Sequence, residues 1–408
     1  MTGFDGLWES ILDVGREPAT GGYRRFAWNT ADLTLREWFT GEADRRGMTV
    51  EEDRNGNTWA WWMPSGWSGD PRGAFVTGSH LDSVPDGGAF DGPLGVVSAF
   101  HAVDVLRERG VQPVIPVAVV AFADEEGARF GVACVGSQLS TGALTPERAL
   151  RLTDNDGTTL ADALRGAGRN PDHLGADDTL TDRVGVYVEL HVEQGRALVD
   201  MGKPVAVASS IWPHGRWHLV FGGEANHAGT TRLIDRRDPM LPFASSVHAA
   251  RVEAARHDSV ATFGKVLVTP NGANAIPSRV DAWLDARAAD EATLAAVVDA
   301  IKGAAAHHAR DGHVALQFDA ESITPIVSFP DAPRRRVQSA LSRLGDVPVL
   351  PTAAGHDAGI LSAKVPTAML FVRNPTGVSH SPDEYAEIDD CRTGAEALAD
   401  VMAEWVAP

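Results

Sequence analysis

The sequence predicts an α/β protein: a mostly parallel mixed sheet covered by helices, with a smaller α+β domain inserted. Three observations lead there. Continuous β-branched runs recur, as at 113–123 (PVIPVAVVAFA) and 184–190 (VGVYVEL), which is how strands buried on both faces read. Helical stretches stand between those runs, as in parallel sheets. From Arg216 onward the order becomes strand, helix, strand, strand, helix, strand, the ferredoxin-like arrangement. A chain of 408 residues exceeds one ordinary core. The division expected is a larger domain in two parts, 1–207 and 323–408, with the insertion at 208–322.

Taken in order, 24–47 reads as a helix and 57–63 (NTWAWWM) as a strand whose tryptophans belong to the core. A strand at 74–78, a helix at 93–109 and the strand at 113–123 follow. The strand at 184–190 ends at His191. The strand 366–372 (PTAMLFV) precedes a loop containing His380. In the insertion, 216–221 alternates as a strand and 239–257 is helical. Strands at 260–268 and 279–287 are separated by a Pro-Asn-Gly turn at 270–272. A helix at 291–310 and a strand at 314–322 close the unit.

Composition excludes several classes. Hydrophobic content of 44% with 22% charged residues is that of a globular protein. A net charge of −19 argues against nucleic acid or an anionic membrane as partner. An anionic small substrate remains compatible where arginines make a site locally positive. Cys134 and Cys391 are the only cysteines, so neither a disulfide framework nor a cysteine zinc site is expected. The N-terminus lacks a basic segment followed by an apolar one, and no apolar run reaches the ~18–20 residues of a membrane span. A soluble, cytoplasmic protein is expected.

The chemistry concentrates at strand ends, where α/β sheets place ligands. His80, Asp91, Glu126, His191 and His380 each follow a predicted strand. Imidazole and carboxylate without thiolate suit Zn²⁺ or Mn²⁺, with Co²⁺ or Ni²⁺ also possible. Five such residues exceed what one catalytic zinc uses and suit two ions ~3.5–4 Å apart that share one carboxylate. Asp91, in the loop 87–92 (GGAFDG), is the expected bridge. Asp82, two residues after His80, is placed to accept the imidazole's second N–H. That leaves Glu125 as general base for an activated solvent molecule. A lone histidine is more often structural, and a lone Glu-Glu pair is usually a solvated helix start. The coincidence of all these residues at separate strand ends is what favours a metal centre.

These segments resemble the binuclear metallohydrolases that include allantoate amidohydrolases, N-carbamoyl-L-amino acid hydrolases and β-ureidopropionases. The matching stretches are GSHLDSVPDGGAFDGPLGV (78–96), ADEEGARFG (123–131), ELHVEQG (189–195), GEANHAGTT (223–231), RRDP (236–239), NAIP (274–277), DAR (285–287), GHDA (355–358) and GVSHSPDE (377–384). The resemblance implies a catalytic domain, an inserted lid and dimerisation domain, and a homodimer. It implies one ion on His80, Glu126 and Asp91 and another on Asp91, His191 and His380, with Glu125 as base. His227 would cross to the partner protomer's site and polarise the scissile carbonyl. Gln194 would bond the substrate's amide end. Asn274 and Arg287 would hold its carboxylate, for which a guanidinium offers bidentate geometry. His356 and Asp357 would line or support the site.

Three places depart from the family pattern: 211–216, where Arg216 still matches an arginine, Arg232 after the two threonines, and 370–375. They touch the expected pocket wall. Arg216 or Arg373 near the site would favour a dianionic or ureido-rich substrate, while a surface salt bridge is the plainer use of either. The implied reaction is hydrolysis of a linear C–N bond in a small anionic N-carbamoyl-type acid. Allantoate, giving ureidoglycine, ammonia and CO₂, comes first. Alternatives are an N-carbamoyl-L-amino acid, β-ureidopropionate, or an N-formyl or N-formimino derivative of an acidic amino acid. More distant are a dipeptidase or aminoacylase, and an inactive binding protein that kept the fold.

Overall fold

The computed structural model describes residues 3–407. They form two compact units, one comprising the chain up to Ser209 together with Phe329 onward, the other Ser210–Ser328. In chain order the strands are β1 (Thr49–Glu52), β2 (Thr58–Trp62), β3 (Ala74–His80), β4 (Val117–Phe122), β5 (Val184–Val192), β6 (Val205–Ile211), β7 (His214–Gly222), β8 (Asn226–His227), β9 (Val260–Thr269), β10 (Ala275–Ile276), β11 (Arg279–Arg287), β12 (Ala315–Thr324), β13 (Val327–Ser328), β14 (Val349–Thr352) and β15 (Thr367–Val372).

The large sheet runs β1-β2-β4-β3-β5-β15-β6-β13, with β14 also on β6. β3 is parallel to β4 and β5, and β5 to β15. β2 and β6 flank this centre antiparallel. Every residue of β3, β4 and β15 is buried, as strands covered on both faces must be. Each fully buried Val, Leu or Phe there contributes about 1.5–3 kcal/mol. The helices Pro93–Glu108 and Ile388–Val406 supply Leu94, Val97, Phe100, Leu398 and Met402 to the same core. Trp59 and Trp61 are buried and stacked, with ring centroids 5.8 Å apart. Since the four central strands run one way, the loops after His80, Phe122, Val192 and Val372 leave the same end of the sheet.

At two boundaries the difference from the sequence expectation has a clear local cause. The helix expected from Arg24 begins at Thr30, because Asn29 accepts the Asp32 N–H as its cap. Arg25 lies outside it, buried, donating to the carbonyls of Val14 and Ile11. The strand expected from Pro113 begins at Val117, because the proline at 116 has no N–H for a ladder.

The second unit is an antiparallel sheet in the order β12-β7-β11-β9. Helices Met240–Arg256 and Glu291–Asp311 contribute Phe243, Ala250, Leu294, Val297 and Ile301 to a core with Leu219, Phe221, Ala282 and Leu284. Burial alternates along β11, the period of a strand with one face covered. β9 is an edge strand on which Val260, Val266 and Leu267 are exposed. Among the described residues no helix is long and apolar enough to cross a membrane.

Candidate metal centre

His80 is the last residue of β3, and His191 lies inside β5 rather than beyond it. The strands are neighbours, so the two imidazoles come together with ring centroids 5.9 Å apart. His80 Nδ1 is 3.2 Å from the Asp82 carbonyl oxygen, and His191 Nδ1 is 2.9 Å from that of Val192. A carbonyl only accepts, so each Nδ1 carries the proton and each Nε2 keeps its lone pair for a ligand. Asp91 sits between them: its Oδ1 is 3.1 Å from His191 Nε2 and 3.7 Å from His80 Nε2, and its Oδ2 is 3.3 Å from His380 Nε2.

The acidic pair is set by a turn after β4 in which Asp124 adopts φ 55°. The start of the helix Val135–Thr141 holds that turn. The amides of Cys134, Val135 and Gly136 donate to the carbonyls of Glu125, Asp124 and Ala123. The Asp82 carboxylate accepts from the amides of Glu125 at 3.2 Å and Glu126 at 3.0 Å, and stands 3.5 Å from His80 Nδ1. Asp82 thus stands beside the second nitrogen of His80, as expected, and has a further role. Its carbonyl orients His80, while its carboxylate fixes the two glutamates. Glu125 Oε2 is 3.6 Å from His80 Nε2, and Glu126 Oε2 is 3.6 Å from His380 Nε2.

The donor atoms group as His80, Asp91 and His191, and as Asp91, Glu126 and His380, each set within 4.8 Å. That partition differs from the implied one, which joined Glu126 to His80. The reason is strand order: His80 and His191 end adjacent strands, whereas Glu126 and His380 come from the longer loops. The residues fit a cation. His80 Nε2, His191 Nε2 and Glu126 Oε1 are buried without a hydrogen-bond partner, and buried polar atoms are rarely left so unless something else meets them. Burial pushes the Glu125 carboxyl well above its ordinary range, opposed by His80 and reinforced by Asp357 and Glu126. Burial also works to raise Asp91, but His191, His380 and His80 together hold it well below.

Gln194 points its amide N–H at Asp91 Oδ2, 2.8 Å away, and its Oε1 is buried and unpaired. The Gln194 amide N–H is thus engaged by the site's own carboxylate, while Oε1 is the atom left to accept. The His356 ring packs edge-on against His191 at 4.4 Å, and Asp357 accepts from Ser137 Oγ at 2.5 Å. Behind them Glu189, fully buried, accepts from Ser79 Oγ at 2.7 Å and from the Ala358 amide at 3.0 Å. It makes a third donor group with His191 and His356. Glu189 and Glu384 were not singled out in the sequence. For Glu189 the signal was its place two residues before His191, hence on the same strand face.

In the second unit, His227 and Asn274 are neighbours, because Ala275 pairs with His227 and the Ala228 amide donates to the Asn274 carbonyl. His227 Nδ1 accepts from the amides of Gly229 at 3.0 Å and Thr230 at 3.2 Å, so its proton resides on Nε2. Arg216 lies opposite Asp285 in the β7–β11 ladder. Arg287 donates to both Asp285 oxygens, at 2.8 and 3.1 Å. The two remaining arginines serve as salt bridges. Arg373 clasps Asp390 at 2.7 and 3.1 Å, and Arg232 pairs with Asp235 on the surface.

Residues 76–404 match Peptidase family M20/M25/M40. An N-carbamoyl-L-amino acid amidohydrolase of Geobacillus stearothermophilus is 37% identical, covering 96% of each chain. The allantoate amidohydrolase of Escherichia coli is 30% identical over 95% of this chain and 94% of that one. Among solved structures, an amidase of the hydantoinase/carbamoylase family from Burkholderia vietnamiensis superposes with a TM-score of 0.90 at 31% identity, covering 99% and 98%. AtUAH in complex with glyoxylate gives 0.89 at 26%, covering 98% and 96%. The chain belongs to the M20/M25/M40 family and is a hydrolase of amide C–N bonds. Within that family it groups with the N-carbamoyl-L-amino acid and allantoate amidohydrolases.

Proposed function

We propose that the strand-end cluster holds two divalent ions bridged by Asp91, and that the protein hydrolyses the carbamoyl C–N bond of a small N-carbamoyl acid. One observation carries the proposal: Asp91 turns Oδ1 to His80 and His191 and Oδ2 to His380, the posture of a carboxylate shared by two ions. Zn²⁺ or Mn²⁺ best suits these donors, and Co²⁺ or Ni²⁺ also fits. Such ions, when bound, polarise a carbonyl and acidify solvent.

The protein's own groups do the rest. Glu125 takes a proton from the attacking water and delivers it to the leaving nitrogen as the C–N bond breaks. The second product decomposes to CO₂ and ammonia. His227, protonated on Nε2, is suited to donate to the developing oxyanion. Asn274, Arg216 and Arg287 are assigned to the substrate carboxylate, and the second unit to lid and dimerisation roles. The exposed Val260, Val266 and Leu267 on edge strand β9, beside exposed Leu241, Val247 and Val252 on the helix Met240–Arg256, support a second copy as the partner. An uncovered edge and apolar patch of that kind are usually covered in the native assembly.

N-carbamoyl-L-amino acids come before allantoate as substrate. Relatives with that activity in their names are 37%, 31% and 30% identical, against 30% for the allantoate amidohydrolase, and Arg373, held by Asp390, does not argue for a second substrate anion. Turnover by metal-reconstituted protein on N-carbamoyl-L-amino acids, allantoate, β-ureidopropionate, N-formylglutamate and dipeptides tests this. Hydrolysis of dipeptides with none of the ureido compounds would overturn it.

A further inference from the structure

Beyond the ligands and the base, the geometry points to Glu384 as a positioning residue that holds the bridging carboxylate of Asp91 in place; this rests on the two-ion reading. Glu384 is 5% exposed and comes from the other end of the chain. One of its oxygens, Oε1, accepts from the backbone amides of Phe90 at 2.9 Å and Asp91 at 3.0 Å. The peptide carrying Asp91 is thereby fixed directly, rather than through the side chain.

The other oxygen ties that peptide to the loop of His380. Ser379 Oγ is 3.0 Å from Glu384 Oε2 and 3.3 Å from Asp91 Oδ2, and it accepts from Gln194 Nε2 at 3.1 Å. A hydroxyl has one proton to give. Given to Glu384, the nearer acceptor, it leaves Asp91 Oδ2 with the Gln194 N–H and a lone pair for an ion. The preceding residue is anchored separately, since Phe90 stacks on Trp8 at 4.8 Å and meets Tyr385 edge-on at 6.1 Å.

The approach has no slack. A Cβ at Gly88 would lie 2.3 Å from Glu384 Cβ and 2.4 Å from Oε1. A buried carboxylate beside the acidic Asp91 is costly. Two backbone amides and a hydroxyl offset that cost at the peptide where metal geometry is set. Outer groups of this kind commonly govern affinity about as much as a weak ligand does.

Equilibrium dialysis of chelator-stripped protein against Mn²⁺ or Zn²⁺, with bound metal counted by mass spectrometry, tests the inference. Glu384→Ala is expected to weaken binding about 10–100-fold. Glu384→Gln, whose amide oxygen still accepts from both backbone N–H groups, should stay within a few-fold of wild type. Gly88→Ala should resemble Glu384→Ala, because the methyl displaces the carboxylate. Melting of the stripped proteins separates this from a fold staple, which would lower stability and leave affinity unchanged. Unaltered affinity in a folded Glu384→Ala or Gly88→Ala protein overturns the inference. So does a Gln variant as weak as Ala. Should Glu384→Ala fail to fold, the Gln and Gly88 variants decide. Wild-type protein that binds no ion would defeat the two-ion reading itself, and this inference with it.

Discussion

His191 Nε2 and Asp91 Oδ1 stand 3.1 Å apart, two donor atoms turned toward one point where a cation would meet both. Burial, with Asp91 next, pushes Glu126 up to about 8, and the bond to Asp91 raises His380 to about 9. Both groups therefore carry protons at pH 7, and both must lose them to ligate. Affinity should rise between pH 6 and 9, with proton release on binding. Calorimetry at pH 7 in buffers of different ionisation enthalpy measures that release, and a buffer-independent heat would contradict it.

The sharing of Asp91 predicts unequal effects of removing ligands. Asp91→Ala should lose both ions, because the residue belongs to both donor groups. His380→Ala should lose one and retain His80 and His191 for the other. Metal stoichiometry after dialysis distinguishes them, and equal losses in both variants would argue against a bridge.

Glu125 contacts the site without being needed to build it. Glu125→Gln should keep its metal and lose turnover by about 10²–10⁴-fold, the usual share of a general base. Metal content and initial rates on the preferred substrate check both halves. Near-normal activity would remove Glu125 from its assigned role.

Gly92 has φ 86°, and a Cβ there would lie 2.3 Å from His80 Cε1. Gly92→Ala should cost about 1–3 kcal/mol in backbone strain and displace His80 from beside Asp91. Denaturant melts and metal titration should both register the change. A variant with wild-type affinity would mean that His80 tolerates movement.

The proposed exchange of His227 between protomers can be tested by mixing. Hybrid dimers of His227→Ala and Glu125→Gln chains contain one site with both groups intact. Random reassociation should restore about a quarter of wild-type activity, as expected for a two-fold dimer. No recovery in a sample shown to contain hybrids would place His227 in its own protomer's site, and a His227→Ala protein active by itself would place the residue outside catalysis.

Much of this architecture was legible because its signals are local. The run ending at Phe122 is an unbroken apolar segment and the run from Val184 to Val188 nearly so, which is how strands buried on both faces read. The candidate ligands could be read because α/β sheets gather their loops at one end. Legibility failed where function depends on a neighbour distant in sequence. Nothing in the spacing of His80 and Asp82 says that the carboxylate turns toward the amides of Glu125 and Glu126, because the His80 ring is satisfied by a carbonyl only two residues away. The grouping of ligands likewise follows from β3 lying beside β5, a pairing that no local pattern encodes. Strand β6, with the sequence VAVASSI, is short enough to pass for a loop.

The position of β15 has a consequence for biosynthesis. It docks in parallel beside β5, although it is translated long after it, once the whole second unit has been made. Until then the growing polypeptide carries an apolar strand with one flank unpaired and no complete ion cradle. Pairings so remote in sequence form slowly and leave aggregation-prone intermediates. Ion loading should therefore follow release from the ribosome, and recombinant yield should depend on folding helpers more than on metal in the growth medium.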